Sequence, residues 1–377
     1  MKKTLILTAA ALLTTLGGMA QWQPAGDRIR TAWSEEIDPQ NVLPEYPRPQ
    51  MVRSEWKNLN GLWNYAIRPL GEQPAAFDGE ILVPFAVESS LSGVGERLGS
   101  KNELWYERTF EISPKWNGKR ILLHFGAVDW RADVWVNGIS VGSHTGGYTP
   151  FSFDITAALA KGENTLRVRV WDPTDEGYQP RGKQVNNPNG IWYTPVSGIW
   201  QTVWLEAVSK GGLKLCRITP DLDNKQFVFE PVFYDLDLNA TFKVRVLDNG
   251  KEVYSQKVPA SDNAFISAKI KNIKTWSPES PFLYDIEFSV LDAEGNTIDK
   301  VKSYAGMRKV ELRGKTFYLN NEPYYQRLVL DQGYYPDGQW TAPDDEQLKK
   351  DIILAKEAGF NGARLHQKVF EQRYFYW

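Results

Sequence analysis

From Trp33 to about Val208 the chain is a run of short alternating stretches separated by turn residues. Residues 164–171 alternate polar and apolar up to Trp171, residues 201–206 do the same, and residues 132–137 alternate before an Asn137-Gly138 turn. Residues 120–126 form a more continuous apolar stretch. A period of two places the apolar side chains of each stretch on one face, so these segments are expected to be the strands of a sandwich. From Gly211 to about Tyr304 hairpins take over. Residues 241–247 and 252–258 flank Asp248-Asn249-Gly250, and residues 282–291 and 297–304 flank Glu294-Gly295-Asn296. These are turn residues that accept the positive φ of a tight hairpin. Such a run of antiparallel hairpins fits an immunoglobulin-like sandwich.

Beyond residue 305 the period changes. Residues 327–331 read as a short apolar strand, residues 343–358 as a helix with Leu348, Ile352 and Ala355 on one face, and residues 360–366 as a second strand. Thr341 is expected to cap the helix, with Pro343 in its first turn, acidic Asp344, Asp345 and Glu346 at the positive end of its dipole, and Gly359 ending it. The spacing predicts a βαβ unit with Asp331 and Gln332 at the end of one strand, and Arg364 and His366 at the end of the other. Residues 371–377 open a further helix. In a (β/α)8 barrel such strand ends form the active face, and a whole barrel takes about 250 residues, so only its first units are expected here.

Composition narrows the functional classes. With 377 residues, 42% hydrophobic and 24% charged, the chain is expected to form two or three well-packed domains. A net charge of −2 offers no basic footprint for nucleic acid. No stretch approaches the run of about 18 apolar residues that spans a membrane. Residues 1–20 read as a signal peptide: Lys2 and Lys3, an apolar run from Leu5 to Leu16, then Gly18 and Ala20 before a cut ahead of Gln21. Export to the periplasm or the extracellular space is therefore expected. The single cysteine, Cys216, excludes an internal disulfide. Three separated histidines, His124, His144 and His366, give no zinc spacing. There is no phosphate loop, dinucleotide fingerprint or nucleophile elbow, so neither a metal nor a cofactor is expected.

Three segments of the last part resemble glycoside hydrolase family 2, the group of β-galactosidases, β-glucuronidases and β-mannosidases. They are Leu319-Asn-Asn-Glu-Pro-Tyr-Tyr-Gln-Arg327, Leu330-Asp-Gln-Gly-Tyr-Tyr-Pro336 and Gly359-Phe-Asn-Gly-Ala-Arg-Leu-His366. Leu59-Asn-Gly-Leu-Trp63, Trp105-Tyr-Glu-Arg-Thr-Phe110, Val134-Trp-Val-Asn-Gly138, Gly146-Gly-Tyr-Thr-Pro-Phe151 and Ser197-Gly-Ile-Trp200 carry the same resemblance in the earlier part, in the family's order. It implies a multidomain, mainly β chain. After a signal peptide at 1–20 come a jelly-roll sugar-binding domain at 21–208, an immunoglobulin-like β-sandwich at 209–305, and the start of a TIM barrel at 306–377. The implied activity is hydrolysis of O-glycosidic bonds in carbohydrate metabolism, by a pair of carboxyl groups flanking the bond. In the family both are glutamates on later barrel strands. The chain as it stands is expected to lack them, to carry no catalytic residue and to be inactive alone. A carbohydrate-binding protein without catalysis and an adhesive sandwich with no sugar ligand are the alternatives.

The resemblance also implies that Arg364 and His366 help to form the pocket around the cleaved sugar, where Arg presents a rigid donor fork. The plainer expectation is that Arg364 pairs with a carboxylate and His366 is a satisfied barrel histidine. Asp331 is a further candidate, although an Asp before Gln332-Gly333 can simply shape its loop. In the family's galactosidases and glucuronidases an Asp shortly before the Ser-Gly-Ile-like motif reaches the substrate. Residues 187–196 hold no Asp, and Trp192 and Tyr193 can stack on a sugar ring in its place or serve burial. Glu88 completes the candidates, set against the ordinary role of Glu as solvated surface. The implied partner is an oligo- or polysaccharide.

Overall fold

The computed structural model describes residues 22–26 and 30–377, so the signal-peptide reading lies outside the described residues. The chain is mainly β. Its first unit faces a four-stranded sheet, in the order Trp56–Asn58, Val203–Val208, Arg120–Phe125 and Phe151–Asp154, with a six-stranded one. The six-stranded order is Gly79–Val83, Gly61–Pro69, Asn102–Glu111, Glu163–Trp171, Arg131–Val136 and Ile139–Thr145. The alternation of the sequence is obeyed: Asn164, Leu166, Val168 and Val170 are buried while their neighbours are not. Leu166, Val168 and Val170 join Trp63, Tyr106, Leu123 and Leu205 in one core shared by the two sheets. The Asn137-Gly138 turn takes φ of 52° and 77°, as a two-residue hairpin requires.

The second unit sets three strands, Leu213–Asp221, Gln226–Phe233 and Ile266–Lys269, against four, Lys251–Pro259, Thr241–Asp248, Tyr284–Leu291 and Thr297–Ala305. Phe227, Phe229, Phe242, Tyr284 and Phe288 fill its core. A buried charge network ties the two units together. Glu206 of the first sandwich is reached by Arg48 at 2.9 Å, Arg53 at 3.2 Å, His124 and the Tyr46 hydroxyl. Arg53 in turn holds Asp299 of the second sandwich at 2.8 Å. Burial alone would raise Glu206, but Arg48, His124 and Arg53 pull it well below the carboxylate range.

A small antiparallel sheet, Val310–Arg313, Thr316–Leu319 and Glu322–Pro323, leads into the last unit. Its tight turn at Asn320 and Asn321 was not anticipated. Strand Leu328–Asp331 then pairs in parallel with Gly362–Leu365, in the register Leu330 to Arg364 and Asp331 to Leu365. Between them runs helix α1, Asp345–Glu357, and after them helix α2, Gln372–Tyr376.

One expectation for this segment is corrected. The cap of α1 is Asp344, whose carboxylate accepts from Gln347 N at 2.8 Å, not Thr341. Thr341 is buried instead, its hydroxyl bonded to the carbonyls of Pro84 and Trp200 at 3.0 and 2.6 Å. That contact, with Trp340 packed on Trp200, fastens the segment to the first sandwich. Leu328, Leu330 and Ile353 are exposed, as an open parallel pair implies, because parallel strands normally bury both faces. Phe370 is buried with Ala342, Leu348 and Tyr374. Among the described residues no helix is long and apolar enough to cross a membrane.

Candidate functional site

The connection from residue 172 to residue 197 leaves the first sandwich and returns to it, and it carries the site's first half. Its two ends are held by buried polar groups. Asp172 accepts from Thr174 N and from the Ser197 hydroxyl, each at 2.8 Å. Glu88 accepts from Ser197 N at 2.8 Å, and Gln184 donates to Asp129 at 2.8 Å. Burial pushes all three carboxyl groups up, Glu88 to about 7, and repulsion from Asp172 adds to the shift of Asp129 and of Glu88. Glu88 is only 1% exposed. Its place is in the foundation of the loop, not on a sugar-facing surface, because turn and strand ends converge over it.

The middle of the connection reaches the βαβ unit. Gly182 lies so close to the Gln367 carbonyl that a Cβ would sit 2.8 Å from it. Tyr193 stacks on Tyr334 with ring centroids 4.2 Å apart. Trp192 beside it is 40% exposed, with no ring stacked on it. A rim of exposed and half-exposed aromatic groups therefore borders the ends of the parallel strands.

Alternation along these strands separates the remaining candidates. Leu330 and Arg364 are cross-strand neighbours on the open face, whereas Leu365 packs towards α1 and α2. Arg364 is exposed and makes no hydrogen bond or ion pair with the described residues. Both ring nitrogens of His366 are covered and without a partner. Loss of water around the ring, then the charges of Arg364 and Lys183, hold His366 below its ordinary value. Asp331 is differently placed. Its carboxylate accepts from Gly333 N and from the Tyr374 hydroxyl, both at 2.8 Å, which is the loop-shaping role. With Asp351, whose carboxylate accepts from the Tyr335 hydroxyl at 2.9 Å, Asp331 lines a cavity of about 870 Å3 that also touches Tyr193, Tyr334 and Phe360.

Sequence reasoning missed Lys368 here and gave Glu371 no place in the site. Lys368 follows the second strand, half-buried, with its amine among aromatic rings, where loss of water lowers it to about 7, against the pull of Glu371 and Asp331. Glu371 is raised to about 7, again chiefly by burial and against the pull of Lys368. The signal available was slight: one Lys directly before Val369-Phe370. Among the described residues no group of His, Cys, Asp and Glu is arranged to hold a metal ion.

The geometry finds counterparts among known proteins. The sugar binding domain profile of glycosyl hydrolases family 2 matches residues 96–207, and a second family 2 profile matches residues 217–308. A β-galactosidase of Thermoanaerobacter pseudethanolicus is 30% identical over 278 residues, which is 69% of this chain and 36% of that protein. A β-glucuronidase of Paenibacillus borealis is 27% identical over 305 residues, 74% of this chain and 50% of the relative. The chain thus spans half or less of the length of these relatives. A β-glucuronidase of Ruminococcus gnavus, solved in complex with D-glucuronic acid, has the same fold, with a TM-score of 0.74 at 21% identity over 89% of this chain and 59% of that one. With the two family profiles lying in succession over the two sandwiches, the chain belongs to glycosyl hydrolase family 2.

Proposed function

We propose that this chain forms the sugar-binding face of a family 2 glycosidase acting on O-glycosidic bonds. The observation that supports it is Arg364, exposed and without a protein partner on the open face of the parallel strands, with the covered and unpartnered imidazole of His366 two residues on, beside the Trp192 and Tyr193 rim. A covered imidazole without a hydrogen bond is costly, and a sugar hydroxyl satisfies either nitrogen. Arg364 supplies a planar fork for hydroxyl or carboxylate oxygens. Cleavage needs two carboxyl groups free to flank the bond. Asp331 is engaged by Gly333 N and the Tyr374 hydroxyl and Asp351 by the Tyr335 hydroxyl, so we assign these residues to binding and take this chain alone to leave glycosides intact. Residues 1–20 would direct its export, which sequencing the N-terminus of the mature protein checks.

Titration calorimetry with methyl β-D-galactoside and methyl β-D-glucuronide tests the reading. Binding of at least one, weakened tenfold or more by Arg364→Ala, is expected. Equal affinity in the variant would remove the open face from the function. The exposure of Trp192 favours a second reading, in which the first sandwich binds polysaccharide by itself. There Trp192→Ala would abolish binding and Arg364→Ala would leave it intact.

A further inference from the structure

We propose that Lys368 is a positioning residue, whose ammonium group, boxed by four aromatic rings, docks the Gly333-Tyr334 loop and so sets the Tyr193–Tyr334 edge of the site. The amine donates to the Gly333 carbonyl at 2.5 Å. It lies 4.5 Å from the ring centroid of Phe370, 5.1 Å from that of Trp340, 5.4 Å from that of Trp200 and 5.9 Å from that of Tyr334. A cation over ring faces is attracted by their quadrupoles, most strongly where water is excluded. The rings come from separate parts of the chain. Trp200 belongs to the first sandwich, with its indole nitrogen donating to the Gly147 carbonyl at 2.7 Å. Tyr334 and Trp340 belong to the loop after the first parallel strand, and Phe370 to the segment before α2. One ammonium group therefore touches three regions of the chain at once.

The loop is shaped for this contact. Gly333 has φ of +59°, and a Cβ there would stand 2.5 Å from the Phe370 ring and 2.6 Å from Lys368 Cε. Only glycine lets the lysine stem and the ring close on its backbone. Tyr334 follows immediately and carries the stack with Tyr193. A shift of Gly333 is thus transmitted to the aromatic rim in a single residue.

The titratable groups facing the amine are Glu371, at the start of α2, and Asp331, at the end of its strand. The Asp331 carboxylate is already bound by Tyr374, which leaves Glu371 as the principal counter-charge. Both Lys368 and Glu371 are brought near neutrality by burial. When the amine loses its proton it loses its attraction to the ring faces, and its bond to Gly333 weakens. The Tyr334 hydroxyl is pushed far above its usual range by burial, so its own ionisation does not intrude.

The test is 19F NMR of the full chain with 3-fluorotyrosine at position 334. The resonance is expected to move between pH 5.5 and 9 with a midpoint near neutrality. In Lys368→Met it should sit at the high-pH position throughout and stay flat, whereas Glu371→Gln should retain the transition. Phe370→Leu, which removes the nearest ring, should shift the midpoint to lower pH. A Lys368→Met spectrum that follows the wild type across the range would overturn the proposal. The second readout rests on the sugar-binding reading: affinity for the two methyl glycosides at pH 6 should fall tenfold or more in Lys368→Met while the melting temperature holds. A variant that loses melting temperature and affinity together would reduce Lys368 to a structural residue. If the wild type binds neither glycoside, the sugar-binding reading fails, and the fluorine result still decides the role of Lys368.

Discussion

Arg364 and Asp331 sit at neighbouring strand ends, yet one is exposed without a partner and the other is tied down by Gly333 N and Tyr374. Arg364→Ala should therefore change ligand affinity and leave stability within about 0.5 kcal/mol, as surface substitutions do, which urea unfolding would check. Glu88 lies at the other extreme. Its folded pKa, about 7, stands above the 4.5 of the free side chain, so its carboxyl contributes stability fully below pH 4.5 and loses it as the pH rises through 7. Glu88→Gln, which keeps an acceptor for Ser197 N, should gain on the wild type between pH 5 and 8, by roughly 3 kcal/mol at most. Melting curves at the two ends of that range test this, and an advantage that does not grow with pH would sink it. The motif residues Arg364 and His366 were legible in the chain because a short local pattern carries them. The burial of Glu88 was not, since an acidic residue between Val87 and Ser89 says nothing about which strands close over it.

Among the elements, helix α1 is the clearest case of local chemistry deciding detail. Asp344 takes β-region φ and ψ and caps Gln347 N, and Gly359 closes the other end at φ +89°. Asp344→Ala should cost about 1 kcal/mol, measurable by denaturant unfolding. Local pattern pointed to Thr341 as the cap, with Asp344 only facing the dipole. Tertiary contact chose between them, because Thr341 is the residue that meets the Pro84 and Trp200 carbonyls. Thr341→Val should therefore destabilise by about 1–3 kcal/mol through loss of the one donor these buried carbonyls share, although it lies outside the helix.

At the level of the whole molecule, the two sandwiches communicate through a few buried charges. Arg53 is held between Asp299 and Glu206 and also donates to the Leu213 carbonyl at 2.5 Å. Arg53→Met leaves two buried carboxylates short of a counter-charge and should cost about 3–5 kcal/mol. Calorimetry is expected to resolve two transitions in place of one cooperative melt. The βαβ unit, anchored by Trp340 and Thr341 but apolar on its open face, should be the first segment that trypsin removes, ahead of either sandwich. A digest that cuts the sandwiches first would contradict that order.

Much of this organisation follows from the chain alone. A period of two, then of 3.6, sets which side chains share a face, and Asn-Gly and Asp-Asn-Gly tracts place the hairpins, since both depend only on neighbours in sequence. The family was readable for the same reason: its motifs are contiguous. What tertiary structure alone decided is the environment of each ionisable group. Lys368 lies between rings contributed by residues 200, 334, 340 and 370, Glu88 beneath residue 197, and Glu206 among Arg48, Arg53 and His124. Charge, burial and hydrogen bonding at those positions arise from segments far apart in the chain, and no local period encodes which distant side chain will arrive.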